Sequence, residues 1–543
     1  MMSSDPRDDA TRSLNLLIVG AGFGGLCMLH RARRSGLRAL VVEAAPSVGG
    51  TWYHNRYPNA RVDIQSLEYS FSFDEGLQEE WHWSERYASQ PELLRYANHV
   101  ADRFGLRDGI LLNTRLVGAA FDEAGACWRA TGDGGQSWSA RYLVMATGPL
   151  STPNTPAFPG LDRFQGPVLH TARWPHEPVS FSGQAVAVIG TGSSGLQVIP
   201  SIARQASALT VFQRTAAYAV PAHNGPLDPA QEARVKNDYV GFRARNRTMR
   251  SGFGSEVPPR MLSALAATPE EREAAFEERW RIGGFSFLGA FYDLLLDERA
   301  NAFAAEFVRG KIREIVRDPE TARRLCPTQP IGCKRLCIDS VGYYETFNRP
   351  NVRLVDVGGH NAIDEITATG LRTRTGEEHP FDALVLATGF DAITGTLMRL
   401  DFRGRSGLTI QDKWAPGPLN NLGLMIAGFP NLFTIAGAGS PTAFTSVILS
   451  IEHHADWIAD CIVWMNERHH RTIEPTAEAE AAWVEHVNAM AAKTAYLGCN
   501  SWYLGANIPG KPRMFMPLAG GFPAYATRCA EIAAAGYSRF AIS

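Results

Sequence analysis

The chain has 543 residues, with 53 basic against 55 acidic side chains and a formal charge of −2. That balance argues against a nucleic-acid surface or a polybasic membrane anchor as its main business. A 45% hydrophobic and 20% charged composition is that of a globular protein, and the length calls for two or three domains.

Met1–Ser13 is polar with both signs of charge, and no run of 18 apolar residues follows anywhere. Neither a signal peptide nor a membrane insertion is expected, which leaves the cytoplasm as the default. The run LNLLIV (14–19) reads as a strand, followed by a glycine turn, a helix-like stretch to Arg34 and a second strand, LRALVVE (37–43). Gly20, Gly22 and Gly25 give GxGxxG directly after the first strand. The first glycine permits a tight turn, the second admits a pyrophosphate and the third lets helix and strand pack closely. Glu43, at the end of the second strand, suits the hydroxyls of an adenosine ribose. GGTW follows, and its Gly50, Thr51 and Trp52 form a second backbone-rich loop suited to lie along a flavin.

The plan repeats at AVAVI (185–189), with GTGSSG carrying Gly190, Gly192, Ser193, Ser194 and Gly195, then a strand at 208–213. Here Arg214 and Thr215 stand where an acid would repel a 2′-phosphate. Arg214 either pairs with that phosphate or is a solvated strand-end residue. The acid-bearing unit therefore suits FAD and the arginine-bearing unit NADPH. MATG (145–148) and LATGF (386–390) each end a strand on a small-residue turn, as expected where chain crosses close to a cofactor. Residues about 225–330 are rich in Arg, Glu and Ala with helical periodicity and read as an insertion. The segment 445–463 is helical, and a loop-rich tail ends in another helix.

The expected architecture is α/β, with two Rossmann-like dinucleotide-binding domains. Residues 1–150 are the first part of the FAD domain, 151–385 the NADP domain with its insertion, and 386–543 the second part of the FAD domain with the tail. The eight cysteines contain no CxxC pair and no accompanying histidine cluster, so buried free thiols are expected rather than disulfides or zinc, and no metal.

Between the two glycine motifs lies FQGPVLHTARWP (164–175). Phe164, Gly166, His170, Trp174 and Pro175 match every defined position of the fingerprint of type I Baeyer–Villiger monooxygenases, which the chain resembles over nearly its whole length. GTWYHNRYPNARVDIQS, CKRLCIDSVGYYETFNRPNV and SWYLGANIPGKP add to the likeness, which looks nearest to the phenylacetone and steroid monooxygenase branch. The resemblance implies NADPH- and dioxygen-dependent conversion of a ketone into an ester or lactone through a C4a-peroxyflavin, with sulfoxidation as a side reaction. It implies that Arg335 lies over the flavin and stabilises a peroxide anion, and that Asp63 holds Arg335. Lys334, Arg214 and Thr215 are implied as contacts to the NADP 2′-phosphate, and Trp502 as closing against the nicotinamide cofactor. His170 is implied to be structural and gating. Ser440, Thr442 and Phe444, in SPTAF (440–444), are placed at the substrate pocket, and a monomer or weak oligomer is expected. An amine or sulfide oxygenase, a flavin disulfide reductase and a scaffold without catalysis are the competing readings. A reductase should carry a redox cysteine pair beside FAD.

Overall fold

The structure, a computed structural model, describes residues 14–543; the expectation about Met1–Ser13 lies outside them. Leu14–Val19 is buried along almost its whole length, as a parallel strand covered on both faces must be. It pairs in parallel with Ala39–Val42 on one side and Ser137–Met145 on the other. Between the first two strands runs the helix Phe23–Arg34, whose Leu26, Met28, Leu29 and Ala32 are buried in one core with Leu16, Ile18 and Val41 of the sheet and whose last turn gathers Arg31, Arg33 and Arg34 against the carbonyl end of its dipole. The long helix Val447–Glu467 packs on that helix. An antiparallel meander, Leu116–Asp122 and Cys127–Gly132, widens the sheet beyond Ser137–Met145.

A second sheet of five parallel strands runs in the order Val352–Asp356, Ala208–Gln213, Ala185–Ile189, Ala383–Leu386, Val168–His170. The helix Ser193–Ala203 joins its two nucleotide strands. Two Rossmann-like units are thus present, with helical insertions. The segment read as helical contains Pro229–Lys236, Tyr239–Thr248, Pro269–Ile282, Glu298–Ile315 and Pro319–Leu325. Thr268 and Glu271 form a reciprocal capping box that starts the third of these. Phe276, Phe287 and Phe307 cluster beneath them.

The chain then returns to the first sheet, where Leu432–Thr434 lies parallel to the end of Ser137–Met145. The two small-residue turns, after Met145 and after Leu386, therefore sit at the carboxyl ends of inner strands of the two sheets. Open parallel sheets bind ligands at such ends. No helix among the described residues is long and apolar enough to cross a membrane.

The expectation of free thiols fails at one pair. Cys333 and Cys499 are joined as a disulfide across 166 residues, while Cys27, Cys127, Cys326, Cys337, Cys461 and Cys529 remain free. Sequence spacing could not show this, because the two segments meet only after the second sheet and the tail are folded against each other.

Candidate active site

At the first glycine motif, Gly20 has φ of +102°, and a Cβ there would lie 2.8 Å from the Ala146 carbonyl oxygen. A Cβ on Gly25 would lie 1.8 Å from the Gly20 oxygen. Gly22 and Gly50 meet backbone to backbone, since a Cβ on Gly50 would come within 2.8 Å of Gly22 Cα. Glycine is required at these positions because any side chain would part the two loops. Glu43 is buried, and its two carboxylate oxygens accept the N–H groups of Ala21 (2.6 Å) and Ala45 (2.7 Å). Its first task is thus to lock the turn, and each oxygen keeps a second lone pair for a ribose hydroxyl. Thr51 is exposed at the start of the short helix Thr51–His54. Trp52 is buried and donates from Nε1 to the Tyr69 hydroxyl (3.1 Å), so it supports the loop's wall. This glycine floor, which side chains would fill, fits the ADP half of FAD.

The second motif has the same build with a more open face. A Cβ on Gly190 (φ +111°) would lie 2.4 Å from the Ala387 oxygen and one on Gly195 2.2 Å from the Gly190 oxygen, whereas Gly192 is exposed with nothing within 4 Å. Ser193 is exposed, its hydroxyl 3.7 Å from the Cys337 sulfur, and Ser194 lies beside Tyr57. Arg214 and Thr215 are exposed just past the second strand, and the Thr215 carbonyl accepts from Thr191. Burial, and then the nearby charge of Arg214, lower the Lys334 pKa. Two cations brought together from distant segments, neither with an ion-pair partner among the described residues, form an anion seat that fits the 2′-phosphate of NADP.

Arg335 occupies the centre. Its Nε and Nη2 both donate to Asp63 Oδ2, at 3.0 and 2.6 Å, and Nη1 donates to the Ala443 carbonyl at 2.7 Å. Its guanidinium carbon stands 4.6 Å from the centre of the Phe285 ring. Burial works to lower the guanidinium pKa, but the Asp63 carboxylate, with Tyr503 and Tyr496 adding to it, outweighs burial and the net shift is upward. Arg335 is therefore a permanent cation whose side chain is still 27% exposed. Beside it, Phe444 stacks on Tyr496 at 4.1 Å, and Tyr503 and Phe515 complete an aromatic group. Trp502 packs on Tyr503 at 4.5 Å.

Of the three pocket residues expected from SPTAF, only Phe444 joins this group. Ser440 and Thr442 are buried and bonded to each other at 2.9 Å, with Ser440 pressed on Gly423. Phe285, Tyr496 and Tyr503 were missed. Phe285 and Tyr496 carry no motif of their own, Tyr503 lies in the SWYLGANIPGKP stretch with no role assigned to it there, and only the fold gathers the insertion and the tail around Arg335.

The fingerprint segment forms the edge strand of the second sheet. Phe164 packs on Phe381, and a Cβ on Gly166 would meet the Asp382 oxygen at 2.0 Å. His170 accepts the Ala172 N–H at Nδ1 (3.0 Å), and its Nε2 lies 3.2 Å from the Asn154 carbonyl and 3.3 Å from the Thr388 hydroxyl. Burial keeps its pKa below the usual imidazole range, so Nε2 carries the proton and donates it to Asn154. Trp174 is buried near Phe181, and Pro175 follows it half-buried. Asn154 in turn donates to the carbonyls of Thr388 and Asn507. The fingerprint thus clamps the interdomain crossing, the LATG turn and the tail together.

Two dinucleotide cradles together with a paired arginine are the features of a flavoprotein oxidoreductase that works with a nicotinamide cofactor. Residues 17–245 match the family model described as pyridine nucleotide-disulphide oxidoreductase. The chain is 42% identical to a phenazine N-monooxygenase of Lysobacter antibioticus over 98% of both chains. It is also 42% identical to a Baeyer-Villiger monooxygenase of Pseudooceanicola batsensis, over 96% of this chain and 95% of that one. Its fold superposes on the oxidized steroid monooxygenase bound to NADP with a TM-score of 0.92 and 49% identity, covering 98% and 99% of the two chains. The chain belongs to the flavin monooxygenase superfamily, in its type I Baeyer–Villiger group, and is an FAD- and NADPH-dependent monooxygenase.

Proposed function

We propose that the protein converts ketones into esters or lactones at the expense of NADPH and dioxygen, with Arg335 as its catalytic cation. Bound FAD supplies the redox chemistry, accepting a hydride from NADPH and delivering one atom of dioxygen. The observation that carries the reading is the tethering of Arg335 by both Asp63 and the Ala443 carbonyl.

Three of the five guanidinium N–H groups are held by those partners, leaving one on each terminal nitrogen for an oxyanion. A fixed donor pair stabilises charge that develops on oxygen during attack on a carbonyl, with no reorganisation at the moment of reaction. Arginine does not surrender a proton at neutral pH, so it steadies an anionic oxygen without quenching it. Lys334 and Arg214 seat the NADP 2′-phosphate, and Gly192 leaves room for its pyrophosphate. The aromatic wall of Phe285, Phe444, Tyr496 and Tyr503 excludes water and receives the apolar part of the substrate.

N-oxygenation is a second reading, favoured by the equal identity to the phenazine N-monooxygenase. A carbonyl substrate develops an oxyanion that Arg335 can meet, whereas a nitrogen centre does not, and this places ketones first. Incubation of the FAD-loaded protein with NADPH and a ketone panel, with products read by mass spectrometry, tests the assignment. Ester formation supports it. N-oxides from phenazines with no ester from any ketone transfer the assignment to the second reading.

A further inference from the structure

The Cys333–Cys499 disulfide joins the two segments on which the proposed site depends. Cys333 immediately precedes Lys334 and Arg335, and Cys499 stands three residues before Trp502 and four before Tyr503, with 5.9 Å between the two Cα atoms. Every other tie on this tail is weaker. Ala495 donates its N–H to the Leu295 carbonyl (2.8 Å) on the side of the insertion. Asn507 donates its side-chain amide to Phe390 (2.7 Å), and the Lys511 ammonium meets Asp391 at 2.6 Å. At its far end the tail is stitched to the first sheet's loops, where Met516 donates to the Tyr503 carbonyl (2.9 Å) and Gly439 to the Met516 carbonyl (2.7 Å). The disulfide is the one covalent link, among the described residues, between the Arg335 loop and this tail.

We propose that Cys333 and Cys499 form a thiol–disulfide modification site that sets how firmly the Trp502 tail closes over the Arg335 loop. The proposal rests on the reading of that loop and tail as the active-site walls. Oxidation by a low-molecular-weight disulfide such as glutathione disulfide proceeds by two exchanges. One protein thiolate attacks the disulfide and releases a glutathione thiol, and the second protein thiolate then displaces the other glutathione. The protein gives up two electrons and two protons, and two glutathione thiols result. Reduction reverses this. Cys333 is fully buried while Cys499 is partly exposed, so an external thiolate attacks the Cys499 sulfur and Cys333 leaves as the thiolate. Neither cysteine lies in a glycine motif or in the GGTW loop.

With the link intact, the tail cannot lift from the Arg335 loop without breaking a covalent bond. With it reduced, opening requires only the loss of a few hydrogen bonds, one ion pair and ring contacts, which belong to the low-stability end of local opening. On that reading, with Trp502 closing against the nicotinamide cofactor, the oxidised protein holds NADP longer and the reduced protein exchanges it faster.

The test uses the full-length, FAD-loaded protein treated with glutathione disulfide or with dithiothreitol. Peptide mapping under thiol-capping conditions reads the cross-link, limited proteolysis reads the exposure of residues 495–511, and displacement reads the NADP+ release rate. The expected result is a Cys333–Cys499 linked peptide after glutathione disulfide. Dithiothreitol should raise both tail cleavage and NADP+ release by about tenfold. Cys499→Ser should behave as the reduced protein does and lose its response to dithiothreitol, whereas Cys127→Ser should keep the full response. Absence of the linked peptide overturns the proposal. So does a linked peptide whose reduction leaves either rate unchanged. A responsive tail in a protein that oxidises no ketone upholds the modification site and fails only the ketone assignment, because mapping and proteolysis do not depend on turnover.

Discussion

Arg335 and Asp63, 272 residues apart in sequence, form a two-bond ion pair in which both guanidinium donors converge on one carboxylate oxygen. Removing the arginine should therefore be far more damaging than removing the acid. Arg335→Ala is expected to lower ester formation by about 100-fold or more, the scale of losing donors at a developing oxyanion. Arg335→Lys should restore little, since a point charge cannot hold two partners and still face the substrate. Asp63→Ala removes both of those charge-assisted bonds but leaves the tie to the Ala443 carbonyl and the cation itself, and should cost about tenfold. Product quantification with FAD content measured in parallel separates these losses from loss of cofactor.

The Lys334–Arg214 seat predicts coenzyme choice. Arg214→Ala or Lys334→Ala should raise the KM for NADPH by about 10-fold to 100-fold, as for a lost charge-assisted contact. The KM for NADH should stay unchanged in both. Equal losses with both coenzymes would remove the 2′-phosphate from this seat.

The two glycine motifs should fail in different ways. Gly25→Ala places a Cβ 1.8 Å from the Gly20 oxygen and should give protein that neither folds properly nor retains FAD. Gly192→Ala meets nothing within 4 Å, so it should fold and bind FAD normally while NADPH binding is lost. Flavin absorbance and NADPH titration of the two variants check this contrast.

Buried Glu68 should leave a mark on stability against pH. Burial pushes its pKa up to about 7, with the Gly254 N–H and Arg243 opposing that shift. The folded state then binds a proton that the unfolded chain has already released. Stability from this group is fully present below the ordinary carboxylate pKa and is lost as pH rises toward about 7. Urea unfolding between those limits should show the decline, and Glu68→Gln should flatten it.

Much of this was legible in the sequence because local chemistry dictated it. The strands at 14–19 and 185–189 are largely apolar runs that each lead into a glycine turn, 208–213 is a third mostly apolar run, and the structure sets all three there. The Asp63–Arg335 pairing followed from resemblance, and the structure brings the two side chains into contact. What the sequence hid depends on long-range folding. Phe285 and Tyr496 come from an insertion and a tail with no chemical motif. Cys333 and Cys499 lack any spacing signal, and nothing in the sequence showed that Glu43 also locks the turn by accepting the backbone amides of Ala21 and Ala45.

Incubation of the FAD-loaded enzyme and its Arg335→Ala variant with NADPH, a ketone panel and isotope-labelled dioxygen tests the central claim most directly. The account predicts that the wild-type protein yields an ester carrying one labelled oxygen for each NADPH consumed, and that the variant consumes NADPH while forming almost none. Unlabelled product, or a labelled ester formed equally well without Arg335, would contradict it.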